Sequence, residues 1–439
     1  MRFTLNRGTA VLAAAALALT AGATTAMAGS SGHHHPSPTT SFYVPKAPDG
    51  SRQQIAELLS QGDRADAKLL KKMVSTPQAV WFTGGTPRQV ARDVKEVVRK
   101  AAATRSIPTL VAYNLPYRDC GQYSVGGAAG TAAYEAWIEA FAGALGRSEA
   151  IVILEPDGLG LIPNYVSALD GSSNCTLPID PALPAGDAAT PENRFTQLNV
   201  AVDALAEHPR TSVYLDATHT AWQNVGESAD RLVKAGVQRA DGFFVNLSNY
   251  QYTPNLAQYG TWVSQCLAYA TEVAPGDYNG CPNQYWNGGP TNNWNGVALN
   301  NFGVWSDTAT SADLDTSSIN ARYAGMLGTV QPTAHFVIDT SRNGQGPWKP
   351  TASYPDAQDW CNPPGRGLGE TPAADPVATN PLLDAYLWVK TPGRSDGQCT
   401  RGTGGTTDPE WGGIVDPAAG AWFPQQALEL AQLAVPPLS

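Results

Sequence analysis

The 439-residue chain is long enough to bury a large α/β core, carries a formal charge of −10, and sets 12 Trp and 16 Tyr against only 15% charged residues. An acidic chain of this kind is a poor partner for nucleic acid or anionic membranes, and no segment is apolar for long enough to span a bilayer. Loops rich in aromatic and amide side chains suit a neutral, hydroxyl-rich ligand whose apolar faces stack on indole and phenol rings.

Arg2 and Arg7, an Ala/Leu-rich run over residues 10–20 and the ending Ala26-Met27-Ala28 read as a secretory signal peptide over 1–28, cleaved after Ala28. Cleavage removes two arginines and no acid, so −10 becomes −12. Residues 29–41 read as a flexible tail. Its His33-His34-His35 triplet has no acidic or cysteine partner in the tail, so metal binding there is a minor reading.

Residues 42–439 read as one domain without internal repeats. A helical stretch runs through Ile55, Leu58, Leu59, Leu69, Leu70 and Met73, and Ala79-Val80-Trp81-Phe82 is a strand. Thr86-Pro87 opens a helix with an N-cap hydroxyl and proline at the first helical position, and Val90, Val94, Val97 and Val98 are its buried stripe. A strand at 109–113 follows, then the loop Asn114-Leu115-Pro116-Tyr117-Arg118-Asp119-Cys120 and a helix over 131–145.

The central stretch is Ile151-Val152-Ile153-Leu154-Glu155-Pro156-Asp157-Gly158. Four apolar residues in a row, mostly β-branched, predict a strand buried on both faces, stopped by Pro156 with two carboxylates at the stop. A helix over 195–207, a strand over 212–215 ending at Asp216, a helix over 228–235 and strands at 243–247, 335–339 and 385–390 complete the pattern. About seven strands alternating with helices predict a distorted parallel β/α barrel of the α/β class, its active site at the C-terminal ends of the strands under long loops. Several strands end in Asp, Asn or Lys, as a catalytic mouth requires. Segments 250–307 and 397–423 break the alternation and read as long functional loops, lids or walls.

Six cysteines in an exported chain point to disulfides. Cys266 and Cys281 are a plausible local pair, and spacing alone leaves Cys120, Cys175, Cys361 and Cys399 unassigned.

The segments VAYNLPYRDC (111–120), IVILEPDGLG (151–160), LDATHTAW (215–222), IDTSRNG (338–344), WCN (360–362) and WVKTPGRSDG (388–397) resemble, in order, the family six glycoside hydrolases, the inverting cellulases. The resemblance extends from about residue 42 to the C-terminus and implies the same barrel. By resemblance Asp157 is the general acid. Asp119 is the carboxylate that keeps the acid protonated, because close like charges cannot both ionise cheaply, and it has a share in activating water. Asp396 matches the proposed base, and Lys390 and Arg342 match basic residues that would hold it ionised.

Asp216, His219 and Trp222 match substrate-site positions, Tyr113 a tyrosine beside the distorted sugar ring, and Trp81 and Trp360 sugar-stacking platforms. Asn246 and Asn249 are candidate hydroxyl ligands. The bland readings are a buried, satisfied His219, a structural ion cluster at Lys390 and Arg342, and a partly core Trp81. The resemblance implies the pairs Cys120–Cys175 and Cys361–Cys399, leaving Cys266–Cys281 to close the long segment. Arg394 departs from the pattern, standing where the family more often has a glutamate, and Ser124 matches the serine after the RDC segment.

The implied function is a secreted, extracellular cellobiohydrolase that releases cellobiose from non-reducing ends with inversion, its acid and base about 6.5–9.5 Å apart. Its expected partners are cellulose and cello-oligosaccharides, and it is expected to act as a monomer without metal or cofactor. The exo expectation rests on the two long segments roofing the groove. Its alternatives are an endoglucanase and a carbohydrate-binding protein without catalysis.

Overall fold

The computed structural model describes residues 35–177, 187, 189–285 and 296–438, so the signal peptide expected over 1–28, together with His33 and His34, lies outside the described residues. All seven expected strands form: β1 (Val80–Phe82), β2 (Thr109–Ala112), β3 (Ala150–Leu154), β4 (Thr211–Asp216), β5 (Gly242–Val245), β6 (His335–Asp339) and, after a short extra strand β7 (Ala373–Ala374), β8 (Leu383–Leu387). The order is β1-β2-β3-β4-β5-β6-β8-β7, parallel throughout except for β7, which lies antiparallel on β8. The strand count is therefore eight rather than seven. Two alanines with a proline nearby on either side carry no strand pattern that sequence reading could catch.

Helices connect neighbouring strands as expected: α3 (Pro87–Ala103), α4 (Thr131–Leu145), α5 (Pro191–Ala206) and α6 (Val225–Lys234). At the head of α3, Thr86 and Gln89 form a reciprocal capping box with Pro87 in the first turn. The first helical stretch is two helices, α1 (Asp49–Gln61) and α2 (Arg64–Val74), because the chain turns through Gly62 at φ 89°. With α9 (Pro424–Gln432) they cover Trp388 through Ile55, Leu58, Leu70, Met73 and Leu430.

Alternation along each strand explains why the strands read as unbroken apolar runs. Leu110, Val152, Leu154, Val213, Phe243 and Phe336 face the helices, whereas Val111, Ile151, Ile153, Tyr214, Phe244, Val337 and Leu387 fill the concave side. The sheet curls until its ends meet: Ala79 N donates to Trp388 O at 3.0 Å and the Trp81 indole to Val389 O at 2.9 Å. These bonds replace a ladder, so the barrel is incomplete.

The segment over 250–307, expected as a loop, instead contains helix α7 (Thr253–Ala268), and α8 (Ser317–Leu327) follows it. Leu256, Tyr259, Val263 and Cys266 make a buried helical stripe whose mixed residue types, interrupted by Gly260, disguise the period. Gly260 seats α7 on β6, since a Cβ there would lie 2.5 Å from the Phe336 ring. Disulfides join Cys120–Cys175, Cys266–Cys281 and Cys361–Cys399. No helix among the described residues is long and apolar enough to cross a membrane.

Two glycine substitutions should therefore move stability in opposite directions in urea unfolding. Gly260→Ala, which forces α7 off β6, is expected to cost about 1–3 kcal/mol. Gly143→Ala, in α4 with nothing within 4 Å of the new methyl, is expected to gain up to about 1 kcal/mol.

Candidate active site

The strand ends share a backbone signature. Tyr117, Asp119 and Cys120 after β2, Glu155 and Asp157 after β3, Thr218 after β4, and Asn246 and Ser248 after β5 all have positive φ. Each such non-glycine residue costs roughly 1–3 kcal/mol and persists only where its surroundings over-determine it, which is typical of functional mouths.

Buried polar anchors supply that determination. Glu155, fully buried, accepts from Asn114 N at 2.8 Å and Leu115 N at 3.0 Å, fixing the start of the loop that carries Asp119. Burial pushes its carboxyl up to about 7 against those two bonds. Arg194 of α5 donates to Gly158 O at 2.7 Å and Pro116 O at 3.1 Å, tying the loops after β2 and β3 together. Asp339, at the end of β6, accepts from Ser248 N, Ser341 N, Val389 N and Lys390 N at 3.0–3.1 Å and so fixes three further loops. Arg118 lies over the Tyr113 ring at 4.8 Å and donates to Thr83 O and Tyr113 O, both at 2.7 Å.

These loops enclose a cleft of about 740 Å³. Trp81, Tyr113, Asp119, Asp157, His219, Trp222, Asn249, Trp360, Lys390 and Asp396 all line it. Three other expected site residues sit behind its wall. Asp216 is buried and accepts from Thr218 N at 2.9 Å and Gly160 N at 3.3 Å. Arg342 is wholly buried against Asp396. Asn246 is wholly buried, donating to Asp339 O at 2.7 Å and accepting from Gln251 N at 3.0 Å, so it organises the wall and does not reach the cleft as a hydroxyl ligand.

The carboxylates fall into two electrical environments. Burial, then the charges of Asp216 and Asp119, hold Asp157 well above the usual carboxylate range. Burial raises Asp119 as well, although its side chain accepts from Ser124 N at 2.6 Å, and raises Asp216 to about 6. Burial acts in the same sense on Asp396, but Arg342 and Lys390 overcome it and hold that carboxyl far below the usual range.

The Asp396 contacts show why. Oδ2 accepts from Arg342 at 2.9 Å, the Tyr250 hydroxyl at 3.1 Å and Asn362 N at 3.0 Å, while Oδ1 pairs with Lys390 Nζ at 2.6 Å. Asp396 N in turn donates to the Asn362 side chain at 2.8 Å. His219 is pushed down to about 3 by burial, so it is a neutral imidazole rather than a cation. Together the groups can hold one proton on Asp157 and one fixed negative charge on Asp396 within a single aromatic-walled cleft.

Sequence reading missed the anchors. Glu155 was visible only as a carboxylate at a strand end, and Tyr250 and the Asn362 amide gave no signal of contact with Asp396. Arg194 could have been found as a cation beside the buried Leu198, Ala201 and Val202 stripe of α5. Trp348 and Arg394 also line the cleft.

The family described as glycosyl hydrolases family 6 matches residues 37–434. Endoglucanase 1 of Streptomyces halstedii is 32% identical over 377 residues, covering 85% of this chain and 87% of that protein. A probable 1,4-β-D-glucan cellobiohydrolase C of Aspergillus fumigatus is 30% identical over 347 residues, covering 74% of this chain and 61% of its own length. The solved structure of an endoglucanase from Mycobacterium tuberculosis, in complex with a thio-linked cellobioside, superposes with a TM-score of 0.58 at 29% identity. That match covers 90% of this chain and 97% of the solved one.

The depressed Asp396 carboxyl makes a prediction with a definite sign. In Lys390→Gln the 13C carboxyl resonance of Asp396 should titrate at higher pH than in the wild type, because one of its two cations is gone. In the wild type, its pairing stabilises the fold above the unfolded aspartate value near pH 4 and is lost as acid titrates the folded carboxyl. Acid unfolding of Lys390→Gln should accordingly begin at higher pH.

Proposed function

The chain belongs to family 6 of the glycosyl hydrolases and is a cellulase acting on β-1,4-glucosidic bonds, and from that premise we propose that it works by inversion with Asp157 as general acid and Asp396 as the ionised partner. The observation that carries the assignment is that two carboxyls line one cleft in opposed surroundings, Asp396 bonded to Arg342 and Lys390 and Asp157 buried near Asp119 and Asp216 with no ion pair of its own among the described residues. Asp157 donates its proton to the glycosidic oxygen as that bond breaks. A water attacks the anomeric carbon from the opposite face and its proton passes to Asp396, directly or by way of Asp119.

Three donors occupy Oδ2 of Asp396, so Oδ1, with Lys390 alone, is the oxygen with capacity for that water. So low a proton affinity makes Asp396 a weak base. Its larger contribution is a fixed negative charge opposite the developing oxocarbenium ion. Trp81 and Trp360 stack sugar rings, and Tyr113, His219, Trp222 and Asn249 contact them. Asp216 and Arg342 act through Asp157 and Asp396 respectively.

For the mode of attack we read release of cellobiose from non-reducing chain ends. Tyr123, on the loop after β2, receives a hydrogen bond from Gln358 at 3.4 Å, has its ring 5.9 Å from that of Trp360, and packs on Gly397. Walls that meet beside Asp119 and Asp396 favour entry from an end. Internal cleavage is the second reading. The Streptomyces and Mycobacterium relatives are endoglucanases, and only Tyr250 and Gln251 of the described part of segment 250–307 line the cleft, so that described part is no roof. Export and an extracellular site of action belong to the same proposal, supported by the signal-like N-terminus and three disulfides.

Asp157→Ala should lower hydrolysis of unactivated cello-oligosaccharides by about 10²-fold or more while sugar binding persists; undiminished turnover would remove Asp157 from its role. In the wild type, activity should fall as rising pH deprotonates Asp157 and, at the acid end, as Asp396 gains a proton. Anomer-resolved NMR should show fresh α product from the β linkage, and retention of configuration would overturn the mechanism. An end-acting enzyme should give cellobiose with little loss of carboxymethylcellulose viscosity, and an internal cutter a rapid loss.

A further inference from the structure

At the end of the strands opposite the cleft, the fold assembles a donor set that the tail alone lacks. His335 opens β6 and Asp384 lies near the start of β8, so both stand on rigid strands. His35, 349 residues before Asp384 in sequence, comes to rest beside them: its Nδ1 is 2.9 Å from Asp384 Oδ2, and His335 Nδ1 is 2.7 Å from Oδ1. The two imidazoles stack at 4.0 Å and 17° with both Nδ1 atoms turned to the same carboxylate.

We propose that His35, His335 and Asp384 bind one divalent transition metal of the zinc class, fastening the N-terminal segment to β6 and β8. One donor atom from each residue lies within 4.8 Å of the others, a set that a small cation can draw together. Two imidazole nitrogens and a carboxylate oxygen are the ligands of a borderline-soft cation, with a fourth position left to water. An outer partner fixes the carboxylate, since the Tyr214 hydroxyl donates to Asp384 Oδ2 at 2.6 Å. The Asp384 side chain is 5% exposed while the imidazoles are 29% and 24% exposed, so the anchor is buried and the ion has a path in. Binding places each imidazole proton on Nε2 and exchanges the two hydrogen bonds to Asp384 for coordination. The site is structural and independent of the cleft.

The test uses the whole secreted chain, stripped with chelator and dialysed against zinc chloride, with bound metal and melting temperature both measured. One zinc per chain and a rise of about 2 °C or more at a hundredfold excess over Kd are expected. Both should be lost in His335→Gln and Asp384→Asn. No binding by the wild type at micromolar zinc would overturn the proposal, as would binding undiminished in His335→Gln, the result expected if the tail triplet chelates alone. Should either variant fold poorly, the wild type decides: the His335 imidazole 15N resonances must move on adding zinc, and resonances that stay fixed refute the site.

Discussion

A buried negative charge that resists protonation governs the rest of the mouth. Asp396 is nearly inaccessible, yet it stays ionised because Arg342 and Lys390 contact it from both oxygens and Tyr250 and Asn362 add neutral donors. Removing either cation would leave Asp396 with a single charged partner and a raised proton affinity, so the cluster holds its shape as well as its charge. Asp119, Asp157 and Asp216 make no direct ion pair among the described residues. Burial raises all three, and at Asp157 the charges of Asp216 and Asp119 add to it, so that carboxyl is the one held well above the usual range. Acid and charge are thus separated within one cleft by where the cations stand.

Holding those groups at fixed positions costs backbone strain, which the fold offsets with buried polar contacts. The positive φ values at Asp119 and Asp157 occur in loops whose amides and carbonyls are held by Glu155 and Arg194. The Cys120–Cys175 disulfide adds a covalent limit on the residue next to Asp119. On the other side Asp339 collects four amides from three loops, including that of Lys390, so the cation that lowers Asp396 has its own backbone fixed. Charge placement at the mouth depends on these second carboxylates more than on the loops' own sequences.

What the sequence shows and what it hides follow from the range of the interactions. Strands buried on both faces write themselves as short β-branched runs, which is why Ile151 to Leu154 and its counterparts were legible. Thr86-Pro87 was legible because capping is local. Helix α7 was not, because its buried stripe mixes Leu, Tyr, Val and Cys and its fit depends on Gly260 meeting Phe336, 76 residues later. The family resemblance named the carboxylates but could not separate residues lining the cleft from those behind it. Asn246 and Asn249 look alike in sequence, and only the curl of the sheet turns one inward to Asp339 and leaves the other in the cleft.

The incomplete barrel links the fold to a polymeric substrate. Between β1 and β8 a full ladder is replaced by the bonds from Ala79 to Trp388 and from Trp81 to Val389. Trp81, one side of that seam, and Lys390, the other, both line the cleft, so the site lies where the sheet fails to close. A mouth ringed evenly by eight crossovers favours a compact ligand, whereas here the first and last long strands meet with no crossover helix between them. The Trp81 indole N–H is spent on Val389 O, which fixes the ring as part of the seam and leaves its face as the surface a sugar can meet. The bond that joins the sheet's ends therefore also orients a platform beside the residues that carry the charge.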